Sequence, residues 1–174
     1  MICFRAVSGS KIEQGNLYDL IQAGNDELHV NNATTAIGSA IVVPDYFNFN
    51  NGTAKLVHQE HYEQIGANEM ASMGYLSGCA VLVALSEDRN NPNTWVYHAP
   101  GGITTNAGEF IQASHGERYV YIIPHEGINR YIGDIDTLVT AHQIDPNSIT
   151  IIGRTVNDRK SDVHIRQNGD FGFC

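Results

Sequence analysis

Residues 76–85 are Leu76-Ser77-Gly78-Cys79-Ala80-Val81-Leu82-Val83-Ala84-Leu85, a polar turn that leads into an uninterrupted apolar run. Aliphatic and β-branched residues in a short apolar run predict a strand over 79–85. Residues 86–93 are rich in Asn, Asp and Ser and predict a loop, after which Thr94-Trp95-Val96-Tyr97-His98 predicts the returning strand. Together these segments predict an antiparallel hairpin at the centre of the chain.

Similar short apolar segments, bounded by turn residues, recur along the whole chain. The predicted strands are 2–7, 36–43, 54–58, 79–85, 94–98, 118–123, 148–153 and 162–166. Helical spacing predicts helices over 16–23 and 134–144, residues 61–74 fit a helix only ambiguously, and residues 169–172 predict a turn. Many strands, few helices and no regular alternation predict an α+β fold, a β-rich sandwich of mixed or antiparallel strands flanked by a few helices.

The length, charge and hydropathy of the chain restrict its function. At 174 residues it has the length of one domain, so we expect a single catalytic domain over 1–174. A net charge of −9 argues against nucleic acid as a partner. No run approaches the roughly 18 apolar residues of a membrane span, and the first residues lack a secretory signal. We therefore expect a soluble protein, either cytoplasmic or delivered into a host cytoplasm by a dedicated secretion machine.

Three cysteines, Cys3, Cys79 and Cys174, are too few for a disulfide framework. No Cys-x-x-Cys or His-Glu-x-x-His spacing is present, so we expect neither a metal nor another cofactor. Cys79 alone lies mid-chain, directly behind a glycine-containing turn. It is the candidate nucleophile.

The predicted hairpin brings a histidine to Cys79. Pairing Leu85 with Thr94 across the loop also pairs Val81 with His98. Because side chains alternate along a strand, Cys79 and His98 then project from one face as diagonal neighbours, with backbones roughly 7–8 Å apart. A slip of one residue would place them on opposite faces.

A Cys–His pair is typical of nucleophilic catalysis, because the thiolate is the nucleophile and an imidazole serves as its base. Gly78 lets the backbone approach a substrate, and the amides of the Ser77-Gly78-Cys79 turn are candidate donors to an oxyanion. A cysteine at the start of an apolar strand is also commonly a small buried hydrophobe. A non-catalytic binding or immunity module therefore stays open as an alternative.

Leu76-Ser77-Gly78-Cys79, followed by an apolar strand and by His98 at the end of the returning strand, resembles the Leu-Ser-Gly-Cys glutamine deamidases. These include the catalytic domains of cytotoxic necrotizing factors and the Burkholderia lethal factor, with CheD more distant. The resemblance implies a β-rich sandwich in which Cys79 and His98 convert a protein glutamine to glutamate. It also implies a bacterial toxin or effector whose protein target is a Rho-type GTPase or a translation-initiation helicase.

The third member of such a site differs among these deamidases. In the lethal factor and in CheD a threonine six residues before the cysteine orients the histidine, and here that position is Met73, preceded by Ser72. Necrotizing factors use a backbone carbonyl instead, which any residue supplies. Thr34 and Thr35 are further candidates by residue type.

Other histidines and another enzyme class also need consideration. Three other histidines lie on or beside predicted strands and could partner Cys79: His115, His125 and His164. For each of them a surface or partly buried role is favoured. His58 and His61 have the spacing of a metal pair but lack a nearby third ligand. A papain-like peptidase or amidase would require Cys79 to begin a helix, whereas its sequence predicts a strand.

Overall fold

The computed structural model describes residues 2–7, 14–22, 26–28, 53–74, 76, 78–102, 104–123, 132–154 and 162–173. The predicted strand 36–43 lies outside these residues. The strands are, in chain order, β1 (Ile2–Val7), β2 (Gln14–Asn16), β3 (Asp26–Leu28), β4 (Thr53–Leu56), β5 (Tyr62–Ile65), β6 (Glu69–Met73), β7 (Ala80–Leu85), β8 (Thr94–Ala99), β9 (Arg118–Ile123), β10 (Ile149–Arg154), β11 (Val163–Arg166) and β12 (Asp170–Phe173). The α-helices are α1 (Leu17–Gln22), α2 (Gly108–Ser114) and α3 (Ile132–Thr140).

The strands form two mixed sheets. The larger has the order β3-β1-β10-β9-β7-β8-β5, and the smaller has the order β2-β12-β11-β6-β4. In the larger sheet β1, β10 and β9 are parallel, whereas β7 pairs antiparallel with both β9 and β8. In the smaller sheet only β4 and β6 are parallel.

The larger sheet is covered on both faces. One face packs on the smaller sheet through a core that includes Val83 and Val120 from the first sheet and Ile165 from the second. The opposite face packs on α2 and α3 through Phe110 and Leu138. All six residues of β7 are buried, which explains why its sequence is apolar without alternation. The predicted α+β, β-rich sandwich is confirmed, with a helical layer added to it.

Several boundaries differ from the sequence prediction. Residues 61–74 form β5 and β6 rather than a helix, because alternate residues of β6, Ala71 and Met73, enter the core between the sheets. Residues 170–172 belong to β12 and not to a turn, because Phe171 is fully buried and pairs with Ile165. Gly169, with a φ of 94°, does form the turn that precedes β12. The short helix α2 was not predicted.

The helices are short. α3, predicted over 134–144, runs from Ile132 to Thr140. Within the described ranges, none of the helices has the length and apolar character needed to cross a bilayer.

Candidate active site

The hairpin of β7 and β8 has the predicted register. Val81 pairs with His98 and Ala84 pairs with Trp95. Cys79, directly before β7, and Val81 both belong to the core between the two sheets. Because directly paired residues project from the same face of a sheet, His98 lies on that side as well. The structure therefore brings Cys79 and His98 to one face at one end of the hairpin.

The ring of His98 is held through one nitrogen only. Nδ1 lies 2.9 Å from the carbonyl oxygen of Val57, and His98 is only 4% exposed. Since a carbonyl accepts and never donates, Nδ1 carries the proton and Nε2 of the neutral ring has a lone pair. Nε2 is buried and has no hydrogen-bond partner among the described residues. Nε2 of the neutral ring is thus left able to accept a proton.

Burial lowers the pKa of His98 from its usual 6.5, and the electrostatic effect of nearby His58 acts in the same direction. The hydrogen bond to the Val57 carbonyl raises the pKa, but by less than burial lowers it. A lowered pKa keeps the imidazole neutral at neutral pH, so that Nε2 can accept a proton from a thiol.

The connection between β4 and β5, residues 57–61, forms the wall of the site. The backbone N–H of Glu60 donates to the carbonyl of His98 at 2.9 Å, and the N–H of His98 donates to the carbonyl of His61 at 3.1 Å. A tight turn closes this connection, since the N–H of His61 donates to the carbonyl of His58 and Glu60 has a φ of 62°. The left-handed conformation of Glu60 costs on the order of 1 kcal/mol. This conformation occurs where residues 60 and 61 hydrogen-bond to His98, near the end of β8.

Cys79 is a reduced thiol with 6% of its surface exposed. The side-chain amide of Gln59 donates from Nε2 to Sγ at 3.5 Å. Gln59 itself is exposed, so that a surface side chain covers a buried thiol. Gly78 is half-buried and directly precedes the thiol, whereas Ser77 lies outside the described residues.

The group that orients His98 differs from the side chains considered in the sequence. Ser72 places Oγ 2.8 Å from Nδ1 of His164, its direct partner on β11, and Met73 is buried in the core between the sheets. Neither side chain is the hydrogen-bond partner of His98 Nδ1, because that partner is the Val57 carbonyl. Thr34 and Thr35 lie outside the described residues.

The other histidines are placed away from the hairpin end or on the surface of the site. His115 is an exposed residue that ends α2, and His164 pairs with Ser72. His58 and His61 are exposed with their rings 6.3 Å apart, and no group of three metal-binding side chains occurs in the part of the chain that the structure describes. His125 lies outside that part.

The sequence analysis did not predict two residues of the site, Val57 and Gln59. Gln59 stands 20 positions before Cys79, between two histidines in a loop, and no local spacing joins it to the cysteine. Val57 contributes a backbone carbonyl, which is common to all residues. Residues 57–61 lead from β4 in the smaller sheet to β5 beside β8 in the larger sheet, which brings both into the site. No local sequence pattern contains that information.

The buried imidazoles predict a loss of stability in mild acid. Burial lowers the pKa of both His98 and His164 in the folded protein. Below pH 6.5 the unfolded chain therefore binds protons that the folded protein does not, and the free energy of unfolding falls as pH falls. Each imidazole contributes a slope of up to about 1.4 kcal/mol per pH unit.

Urea unfolding at about pH 7.5 and about pH 5.5 measures this effect. The double variant His98→Gln, His164→Gln is expected to have a shallower pH dependence than the wild type. An unchanged pH dependence in the double variant would contradict the assignment of these two groups.

Two comparisons of the sequence with known proteins found no match. No protein-family model matches the chain, and no curated protein matches its sequence. The site is therefore defined by the geometry of Cys79, His98 and the 57–61 connection.

Proposed function

We propose that this chain is a cysteine-dependent hydrolase that converts a glutamine side chain of a protein substrate to glutamate. The observation that carries the proposal is the ring of His98. Its Nδ1 is fixed by the Val57 carbonyl, and its buried Nε2 has no partner among the described residues, on the face that it shares with Cys79. An oriented, neutral imidazole beside a thiol is the pairing that activates a cysteine nucleophile.

The mechanism proceeds in two steps. Nε2 of His98 takes the proton of Cys79, and Sγ attacks the carboxamide carbon of the substrate. The C–N bond breaks, His98 returns the proton to the departing ammonia, and a thioester remains on Cys79. Water then attacks the thioester carbon while His98 accepts its proton. The Sγ–C bond breaks, the substrate side chain leaves as glutamate, and His98 returns the proton to Sγ.

The substrate class follows from the resemblance of residues 76–79 and 98 to Leu-Ser-Gly-Cys deamidases. This resemblance supports a folded host protein as target, either a Rho-type GTPase or a translation-initiation helicase, and a bacterial toxin or effector as the source. The net charge of −9 supports a protein rather than a nucleic acid as partner.

Incubation with unfolded, glutamine-rich casein tests the proposal. We expect ammonia release, and peptide mass spectrometry should find glutamines converted to glutamate, each with a gain of about 1 Da. Cleavage of casein between residues would instead indicate a peptidase. Intact casein without ammonia release, together with no gain of about 1 Da in a Rho-type GTPase or a translation-initiation helicase, would contradict the hydrolase proposal.

The second candidate function is a non-catalytic binding module. One observation favours it: Cys79 belongs to the core between the sheets and is only 6% exposed. In that role the thiol fills space, and His98 serves only to join β8 to residues 57–61. The reactivity of Cys79 distinguishes the two functions.

Alkylation of the folded protein is expected to depend on His98. A short pulse of iodoacetamide near pH 6 should modify Cys79 faster than Cys3 or Cys174, because a proton acceptor beside the thiol supplies the thiolate. The variant His98→Gln should slow the modification of Cys79 by about 10-fold or more and leave the other two rates unchanged. Peptide mapping gives all three rates.

The binding module would be favoured if Cys79 is alkylated the most slowly of the three cysteines. It would also be favoured if the alkylation rate of Cys79 does not change in His98→Gln.

A further inference from the structure

Gln59 contacts the sulfur of Cys79, and the proposed mechanism gives this contact no role. Its side-chain Nε2 lies 3.5 Å from Sγ of Cys79 and donates to it. An exposed glutamine loses side-chain entropy when it is held against a buried atom, so the contact needs a compensating interaction. A neutral thiol is a weak acceptor, whereas a thiolate or an oxyanion is a strong one.

The position of Nε2 suits the oxyanion. When Sγ attacks the carboxamide carbon, the Sγ–C bond forms and the π electrons of the C=O bond move to the oxygen. That oxygen is then two bonds from Sγ, and N–H donors stabilise it best from roughly 3 Å away. A donor that already reaches Sγ needs to shift by only about one bond length to reach the oxygen.

The backbone around Gln59 is fixed by the elements that fix the base. The carbonyl of Gln59 lies 2.8 Å from Nδ1 of His61, and the next residue, Glu60, donates its N–H to the carbonyl of His98. The same connection supplies the Val57 carbonyl to the His98 ring. One five-residue segment thus positions both the imidazole and the amide of Gln59 relative to Cys79.

We propose that Gln59 is a further catalytic residue, whose side-chain amide donates a hydrogen bond to the oxyanion formed on the substrate carboxamide. This inference rests on the proposed hydrolase function. The amide of Gln59 covers Sγ in the unliganded protein, moves aside as the substrate carboxamide enters, and donates to its oxygen as the negative charge develops. Backbone N–H groups of the turn before β7 remain candidates for a second donor.

The test compares two reactions of the same thiol. Hydrolysis of glutamine passes through an oxyanion, whereas displacement of iodide from iodoacetamide does not. In Gln59→Ala we expect kcat for ammonia release from casein to fall by about 10²-fold or more, with little change in KM. The alkylation rate of Cys79, measured at the pH where it no longer rises with pH, should be unchanged or faster because the cover is gone.

Two further variants sharpen the comparison. Gln59→Glu keeps the length of the side chain but replaces the donor by an acceptor, and we expect a loss of kcat at least as large. The matched control is Gln64→Ala, since Gln64 is another exposed glutamine that donates from Nε2, to Asn93 at 3.1 Å, on neighbouring β5. The kcat of Gln64→Ala should equal that of the wild type. Thermal unfolding of each variant checks that the fold is kept.

Retention of kcat within about 3-fold in both Gln59→Ala and Gln59→Glu would overturn the inference. An equal loss in hydrolysis and alkylation would also overturn it, because Gln59 would then act on the thiol and not on the oxyanion. If the wild type neither releases ammonia from casein nor adds about 1 Da to either candidate target protein, the hydrolase proposal itself is overturned, and with it the role of Gln59.

Discussion

Cys79→Ser is expected to lower ammonia release from casein by about 10³-fold or more, because a serine hydroxyl is a far weaker nucleophile at neutral pH than an activated thiol. The substitution changes one atom at a site that is 6% exposed, so the fold should be retained. Steady-state ammonia assays measure the loss of activity, and circular dichroism measures the fold.

The variants Cys3→Ser and Cys174→Ser provide the matched controls. Neither cysteine is among the residues assigned to the site, and we expect each variant to keep the activity of the wild type. Wild-type turnover in Cys79→Ser, with the fold intact, would exclude a thiol mechanism.

His98→Gln is expected to lower kcat by about 10²- to 10⁴-fold. The glutamine amide can still donate to the Val57 carbonyl but cannot accept a proton from Cys79. In the wild type, burial lowers the pKa of His98, so the ring stays neutral below its usual value of 6.5. The acid limb of kcat/KM should therefore have its midpoint below pH 6.5, and activity should be lost as pH falls through that midpoint.

His164→Gln is the control for this variant. Burial lowers the pKa of His164 too, and its Nδ1 contacts Ser72 on β6. We expect its activity and acid limb to match those of the wild type. A pH profile that changes in His164→Gln and not in His98→Gln would place the base elsewhere.

The hairpin could be predicted from the sequence because its determinants are local. A plain loop between two apolar strands fixes which residues pair, and alternation then fixes the face of each side chain. The register of Val81 with His98 follows from these two rules, as the structure has it. The continuous apolar run of β7 likewise predicted a strand, and the structure buries that strand on both faces.

The remainder of the site could not be predicted in this way. Gln59 and Val57 reach Cys79 and His98 only because residues 57–61 pass from the smaller sheet to the larger. The composition of segment 61–74 left its structure ambiguous, and its residues form β5 and β6, which pair with β8 and β11. The interactions that decide these features join residues far apart in sequence.

The central claim is that Cys79 attacks a glutamine-like side chain with His98 as its base. A short peptide in which a chloromethyl ketone replaces the glutamine carboxamide tests it most directly, with the labelled residue identified by peptide mass mapping. We expect a single adduct on Cys79 of the folded protein, formed much more slowly in His98→Gln. The denatured protein, in which all three cysteines react, shows that the reagent is active. A folded protein that is labelled at Cys3 or Cys174, or at no cysteine, would contradict the account.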